Sequence, residues 1–298
     1  MKLRTAVGAA FGLALATAFL CYHGAAASTQ GKTMKHLLVV SVTKGFHHDS
    51  IPVADETIQM LGQKTGEWET DVVTTDEDLA AKTTPEALKK YDAVIFANTT
   101  GVLPLADPQG FLDYIKAGHG FGAMHSGADT FHEWPGAPAG TVSEYCKMLG
   151  AEFQTHHAQC RVEGRIVDPS FPACKALIAW QKKNKVSTPP ESYSPTYVYK
   201  NQWRGYDEMY LYKNVDTANL HALVQMDVHP PDHSEHVDQE PAPWLISWCK
   251  AYGKGRVFYT SFGHRQEMWH DPLYQEYITG GIRWMLGLAK GSTTPNLH

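Results

Sequence analysis

The residues of this chain best suited to chemistry are histidines that stand beside carboxylates where an apolar run gives way to a polar turn. Thr43-Lys44-Gly45-Phe46-His47-His48-Asp49-Ser50 puts Asp49 next to His48, with Gly45 permitting an unusual backbone turn. Asp49 and Ser50 also stand where a following helix would take its cap. Gly122-Ala123-Met124-His125-Ser126-Gly127-Ala128-Asp129 follows the same plan. A buried strand ending in small residues has the layout of a nucleophile elbow, with His125 as the raised side chain and Ser126 and Asp129 close by. His156 comes after Gly150-Ala151-Glu152-Phe153, Asp207-Glu208-Met209-Tyr210 opens a later strand, and Gly263-His264 ends another. In that later strand Glu208 and Tyr210 share a face while Asp207 takes the opposite one, so one carboxylate faces a cleft and the other serves structure.

Imidazoles and carboxylates gathered in this way serve two kinds of chemistry. They move protons at carbons beside a carbonyl or at a glycosidic oxygen, with His125 as the central acid/base and Glu208 or Asp49 as its partner. They also ligate zinc, manganese or nickel, for which His48, His125, His156 and His264 are the candidates. Those four are far apart in sequence, and no HExxH or other short ligand pair accompanies them. His229, Asp232, His233, His236 and Asp238 are more tightly spaced, but a Pro-rich acidic loop with histidines is more often merely solvated.

Strands must carry these turns. Residues 36–42 form a continuous apolar, β-branched run, which fits a strand covered on both faces and hence a parallel sheet. Helix 51–64, strand 70–74, helix 86–90, strand 92–97, helix 108–117 and strand 121–125 follow in alternation. This is the pattern of right-handed βαβ units in a doubly wound α/β sheet, whose ligands bind outside the carboxyl ends of the strands. After Gly150 strands are expected at 161–167, 208–212, 222–226, 245–248 and 256–260. Residues 186–199 read as a surface insertion, 273–286 as a closing helix, and 291–298 as a frayed tail.

The chain begins with a basic start, a short apolar core and Ala25-Ala26-Ala27, the three-part layout of a secretory signal peptide over residues 1–27. A retained anchor, or a lipid on Cys21, are the other readings of that segment. Export to the periplasm or medium is therefore the expectation, and no later stretch is apolar enough to span a bilayer. The formal charge of -5 is mild and the basic residues are scattered, so nucleic acid and anionic membranes are not the expected partners. A small molecule is. Cys146, Cys174, Cys160 and Cys249 allow a disulfide in an oxidising compartment or serve as buried thiols, and the sequence does not choose. Gly45 stands alone after the first strand, so no dinucleotide fingerprint and no nucleotide cofactor are expected.

The segments Thr43 to Ile51, Gly120 to Trp134, Gly150 to His156, Asp207 to Tyr210, Pro243 to His264 and Gly280 to Gly287 resemble the trehalose-utilisation (ThuA-like) family. The most specific are His125-Ser126-Gly127-Ala128-Asp129 and the run from Gly255 to His264. The resemblance implies a single domain over residues 34–290 with a flavodoxin-like fold of the class I glutamine-amidotransferase type, a mainly parallel sheet, and His125 in place of the elbow cysteine. Glutamine hydrolysis, which needs a thiolate, is then not expected. It further implies His48, Asp49, His156, Glu208, Tyr210 and His264 as site residues, with Tyr210 and His264 holding hydroxyls of a carbohydrate or keto-sugar. A partner sugar dehydrogenase would carry out any oxidation. Departures from the family pattern are His47 in place of a frequent arginine and Ala151 in place of a glycine. A carbohydrate-binding module without catalysis stays open, although Trp248, Phe258, Tyr259 and Trp284 are interleaved with apolar strands and read as core rather than as a stacking surface.

Overall fold

Leu37 and Val39 of the first strand enter one apolar cluster and Leu38 and Val40 enter another, all four fully buried. That two-sided burial is why the segment has no polar alternation, and it sets the layering of the whole domain. The computed structural model describes residues 34–156, 158–228 and 243–297. The expected leader and the loop bearing His229, Asp232, His233, His236 and Asp238 lie outside the described residues.

The chain runs β1 (Lys35–Val40), α1 (Ile51–Thr65), β2 (Trp68–Val73), α2 (Asp76–Lys82), α3 (Pro85–Leu88), β3 (Ala93–Ala97), α4 (Pro108–Lys116) and β4 (Gly120–Met124). A 3-10 turn, His125–Asp129, leads on to α5 (Glu144–Leu149), β5 (Glu152–His156), β6 (Cys160–Ile166), α6 (Pro172–Asn184) and β7 (Tyr197–Tyr199). Then come β8 (Gln202–Asp207), β9 (Tyr210–Lys213), β10 (His221–Met226), β11 (Trp244–Tyr252), β12 (Gly255–Thr260), α7 (Gln266–His270) and α8 (Pro272–Met285).

Ten strands form one sheet in the order β2-β1-β3-β4-β12-β11-β10-β6-β8-β7. The first five pair in parallel and have the flavodoxin order, with the switch point between β1 and β3. From β12 onward every pairing is antiparallel, so the expected parallel sheet is the core of a wider mixed one. α1, α6 and α8 cover one face and α2 to α5 the other. β5 and β9 pair as a separate two-stranded ribbon.

Several local expectations are corrected. The expected strand 208–212 begins only at Tyr210, as β9, because Glu208 and Met209 form the corner after β8, so Glu208 and Tyr210 do not alternate along one strand. Helix α6 went unread because its buried positions, Ala173, Cys174 and Leu177, are few and mostly small. The insertion ends in an edge strand, β7, paired to β8. Asp49 does not cap α1; the residue at that position is Ser50, whose side chain bonds elsewhere. The described part of the tail packs against the domain. Asn296 exchanges side-chain hydrogen bonds with the backbone of Ala222 at 2.7 and 3.1 Å, and Leu297 packs on the core. Cys146, Cys174 and Cys249 are buried and unbridged, in a core large enough to be stable without staples. Trp248, Phe258, Tyr259 and Trp284 are core residues.

Candidate functional site

Four separate parts of the chain deliver one side chain each to the carboxyl edge of the parallel strands. His48 comes from the loop after β1, His125 from the end of β4, His264 from the turn after β12, and Glu208 from the corner between β8 and β9. One ligand atom from each lies within 4.8 Å of the others. His264 Nδ1 is 3.3 Å from both Glu208 Oε2 and His125 Nε2, and His125 Nε2 is 3.5 Å from the same carboxylate oxygen. The His48 ring stands edge-on to His125 and His264, with centroids 4.9 and 5.2 Å away.

The backbone at His125 explains how a fully buried side chain is raised into this cluster. Its φ is +47°, a left-handed conformation that is costly for a residue with a β-carbon and persists only where the surroundings enforce it. Here Tyr259 donates its hydroxyl proton to the His125 carbonyl at 2.7 Å. His125 Nδ1 faces the Ser261 carbonyl at 2.7 Å, so Nδ1 carries the proton and Nε2 presents its lone pair to the cluster. Ser126 Oγ is 3.2 Å from His48 Nδ1 and sets that ring in turn.

The turn that carries His264 is held as firmly. Gly263 has φ +129°, and a β-carbon there would meet the Trp269 ring at 3.1 Å, so glycine is required. Its carbonyl accepts protons from Ser50 Oγ, Asn98 Nδ2 and Trp269 Nε1 at 3.0, 2.8 and 2.9 Å. The fully buried Asp207 accepts from the backbone N–H groups of Gly263, Arg265 and Glu208 at 2.7, 3.2 and 3.0 Å. Adjacent carboxylates thus divide the work, Asp207 anchoring the β12 turn and Glu208 entering the cluster.

The local fields keep His48 neutral and Glu208 charged, the forms that coordinate cations, and favour a proton on His264 that a bound cation would displace. Burial, together with the neighbouring His125 and His264, lowers His48 to about 3 and keeps it neutral. Burial pushes the Glu208 carboxyl up, but the adjoining His125 and His264 rings outweigh it and hold Glu208 well below the usual carboxylate range. Burial lowers His264, and its hydrogen bond to Glu208 and that charge prevail, raising it.

Of the other predicted site residues, His156 is half-exposed, its Nδ1 3.1 Å from Glu208 Oε1, so Glu208 completes the compact four-atom set in which His156 was expected. Tyr210 is buried with its ring 4.4 Å from His125. Asp49 is exposed and lines a cavity of about 310 Å³ at the mouth of the cluster, with Phe46, His48, Gln159, His264 and Arg265. Asp129 turns away from His125. It accepts from His132 Nε2 at 2.5 Å, and His132 Nδ1 meets Glu152 at 2.7 Å. Lys213 and Asn214 complete that second network, at 3.1 and 2.7 Å from the Glu152 carboxylate. The sequence reading missed the supporting role of Asn98, Tyr259 and Ser261, although Asn98 follows β3 at the same sheet edge as the other site turns.

The trehalose-utilisation (ThuA) family model matches residues 36–285. The chain belongs to that family. No curated relative matches it. Among solved structures, a ThuA-like protein from Bacteroides uniformis is 18% identical with a TM-score of 0.57, covering 84% of this chain and 91% of its own. A ThuA-like protein from Parabacteroides merdae is 15% identical with a TM-score of 0.58, covering 87% and 92%. These likenesses establish the fold of this ThuA-family chain.

Proposed function

We propose that this ThuA-family chain is a sugar-converting enzyme whose His48, His125, Glu208 and His264 hold a divalent cation. The observation that carries the reading is the convergence of four donor atoms within 4.8 Å of one another at the carboxyl edge of the sheet. Three imidazoles and one carboxylate suit zinc, nickel, manganese or non-haem iron. The hydrogen bonds behind His125 and His48 are of the kind that orient metal ligands. A bound cation would polarise a carbonyl or hydroxyl oxygen of the substrate. His156, beside Glu208, and Asp49, at the cavity mouth, would then exchange protons with it.

Trehalose utilisation, the activity that gives the family its name, supports a carbohydrate as substrate. A keto-sugar fits the site best, because a ring carbonyl is the group that both a cation and an acid/base pair activate for isomerisation, elimination or hydrolysis. A partner sugar dehydrogenase would supply it. We further read residues 1–27 as an export leader that places the domain outside the cytoplasm, which N-terminal sequencing of the protein recovered from that compartment would test.

The test of function is metal content of the purified mature protein before and after chelation, wild type beside His125→Ala, with conversion of keto-sugars measured on each sample. Stoichiometric metal that is lost in the variant together with turnover supports the reading. Turnover without metal would leave acid–base catalysis by His125 and Glu208. Sugar binding with neither metal nor turnover would make the chain a binding module.

A further inference from the structure

Phe46 is 65% exposed, and a single exposed aromatic is ordinary on a protein surface. Three observations set this one apart. Its ring stands edge-on to His48 with centroids 4.7 Å apart, so it adjoins the cation cluster. It shares the cavity of about 310 Å³ with Asp49, Gln159 and Arg265. Its backbone is pinned, since the hydroxyls of Thr43 and Thr100 lie 2.9 and 3.0 Å from its carbonyl, and the N–H groups of Lys44 and Gly45 bond to Thr100 at 2.8 and 3.0 Å. An exposed ring on a rigid loop loses little conformational freedom when something settles on it.

Much of the remaining lining is polar and also fixed. Arg265 donates to Gln159 at 2.5 Å and to Glu267 at 2.8 Å, and Gln266 donates to the Asp49 carbonyl at 3.1 Å. An exposed aromatic ring in a cavity otherwise lined mostly by polar side chains matches one kind of small molecule well, a ring with an apolar C–H face and a girdle of hydroxyls.

We propose that Phe46 is the platform of a pyranose subsite, which holds a sugar ring by its C–H face beside the cation cluster while Gln159, Arg265 and Asp49 meet its hydroxyls. The proposal rests on the sugar-converting reading and deepens it, restricting the substrate class to cyclic glycosides. An acyclic polyol carries the same hydroxyls but has no flat apolar face, so the platform discriminates against it.

Titration calorimetry of the mature protein with trehalose and with sorbitol tests this, on wild type, Phe46→Ala and Phe46→Trp, with metal content measured on each. The expected result is trehalose binding that weakens about tenfold in Phe46→Ala and is kept in Phe46→Trp, on the scale of one aromatic contact. Sorbitol binding stays weak throughout, and metal content is the same in all three. Equal trehalose affinity in wild type and Phe46→Ala would overturn the subsite while leaving the function standing. Metal loss in Phe46→Ala would overturn it too, since the residue would then be supporting the cluster. A wild type that neither binds trehalose nor converts any keto-sugar would bring down the sugar reading itself.

Discussion

Asp207 and Glu208 are neighbours of like charge that the fold uses for opposite purposes, and each can be tested alone. In Asp207→Asn one carboxylate oxygen becomes an NH₂ facing backbone N–H groups, so the turn carrying Gly263 and His264 loses acceptors. Loss of about 1 to 3 kcal/mol is expected from urea unfolding, with metal affinity falling about tenfold or more because a positioned ligand is loosened. Asp55, under the end of β1, makes a second test. Burial raises it from its usual 3.8 to about 6, against a hydrogen bond from Ser41. Between those values the folded protein holds a proton that the unfolded chain has lost, so stability falls as pH rises through the window and stays lower above it. The interval corresponds to about 3 kcal/mol. Asp55→Asn, whose amide oxygen still accepts from Ser41, should be more stable at pH 7.5 and no longer lose stability between pH 4 and 6. A variant that keeps the wild-type slope would show that another group titrates there.

Elements whose burial leaves a strong period could be read directly. β1, β3 and β4 are apolar on both faces, and α1 and α4 carry spaced core residues, with Pro52 and Pro108 in their first turns. α6 could not be read, since its contact with α8 is made by backbone closeness rather than by large side chains. A β-carbon on Gly280 would lie 2.5 Å from the Pro172 carbonyl oxygen and 2.6 Å from Ala173 Cα, so Gly280→Ala must push the two helices apart. A cost of about 1 to 3 kcal/mol is expected in thermal unfolding. The ribbon of β5 and β9 is tied to the turn after β4 through Asp129, His132 and Glu152. The Asp129 hydrogen bond raises His132, burial opposes it, and Glu152 adds to the rise. That contribution is full below the ordinary value of about 6.5 and is lost as pH climbs through the raised one. The melting temperature should therefore decline above neutrality in the wild type, and more shallowly in His132→Gln.

At the scale of the molecule, the sheet order brings together residues that no local pattern links. His48, His125 and His264 could be picked out because each follows a strand, and strands of a doubly wound sheet end at one edge. Glu208 reaches the same place from the antiparallel half, whose pairing depends on contacts between distant segments, and the set that includes it in place of His156 emerges only when both halves are folded. A cation bound by all four would cross-link the loop after β1, the turn after β4, the turn after β12 and the β8 to β9 corner, none of which is joined in the unfolded chain. Binding to the native state alone stabilises by RT ln(1 + [L]/Kd), about 2.7 kcal/mol at a hundredfold excess over Kd. For a domain of this size that corresponds to a rise of roughly 5 to 10 °C in melting temperature. Chelated protein titrated with zinc or manganese should show that rise, and Glu208→Gln, which keeps the shape of the side chain and removes its charge, should show much less of it. No rise with any divalent cation, in a protein that still converts sugar, would assign the four residues to proton transfer instead.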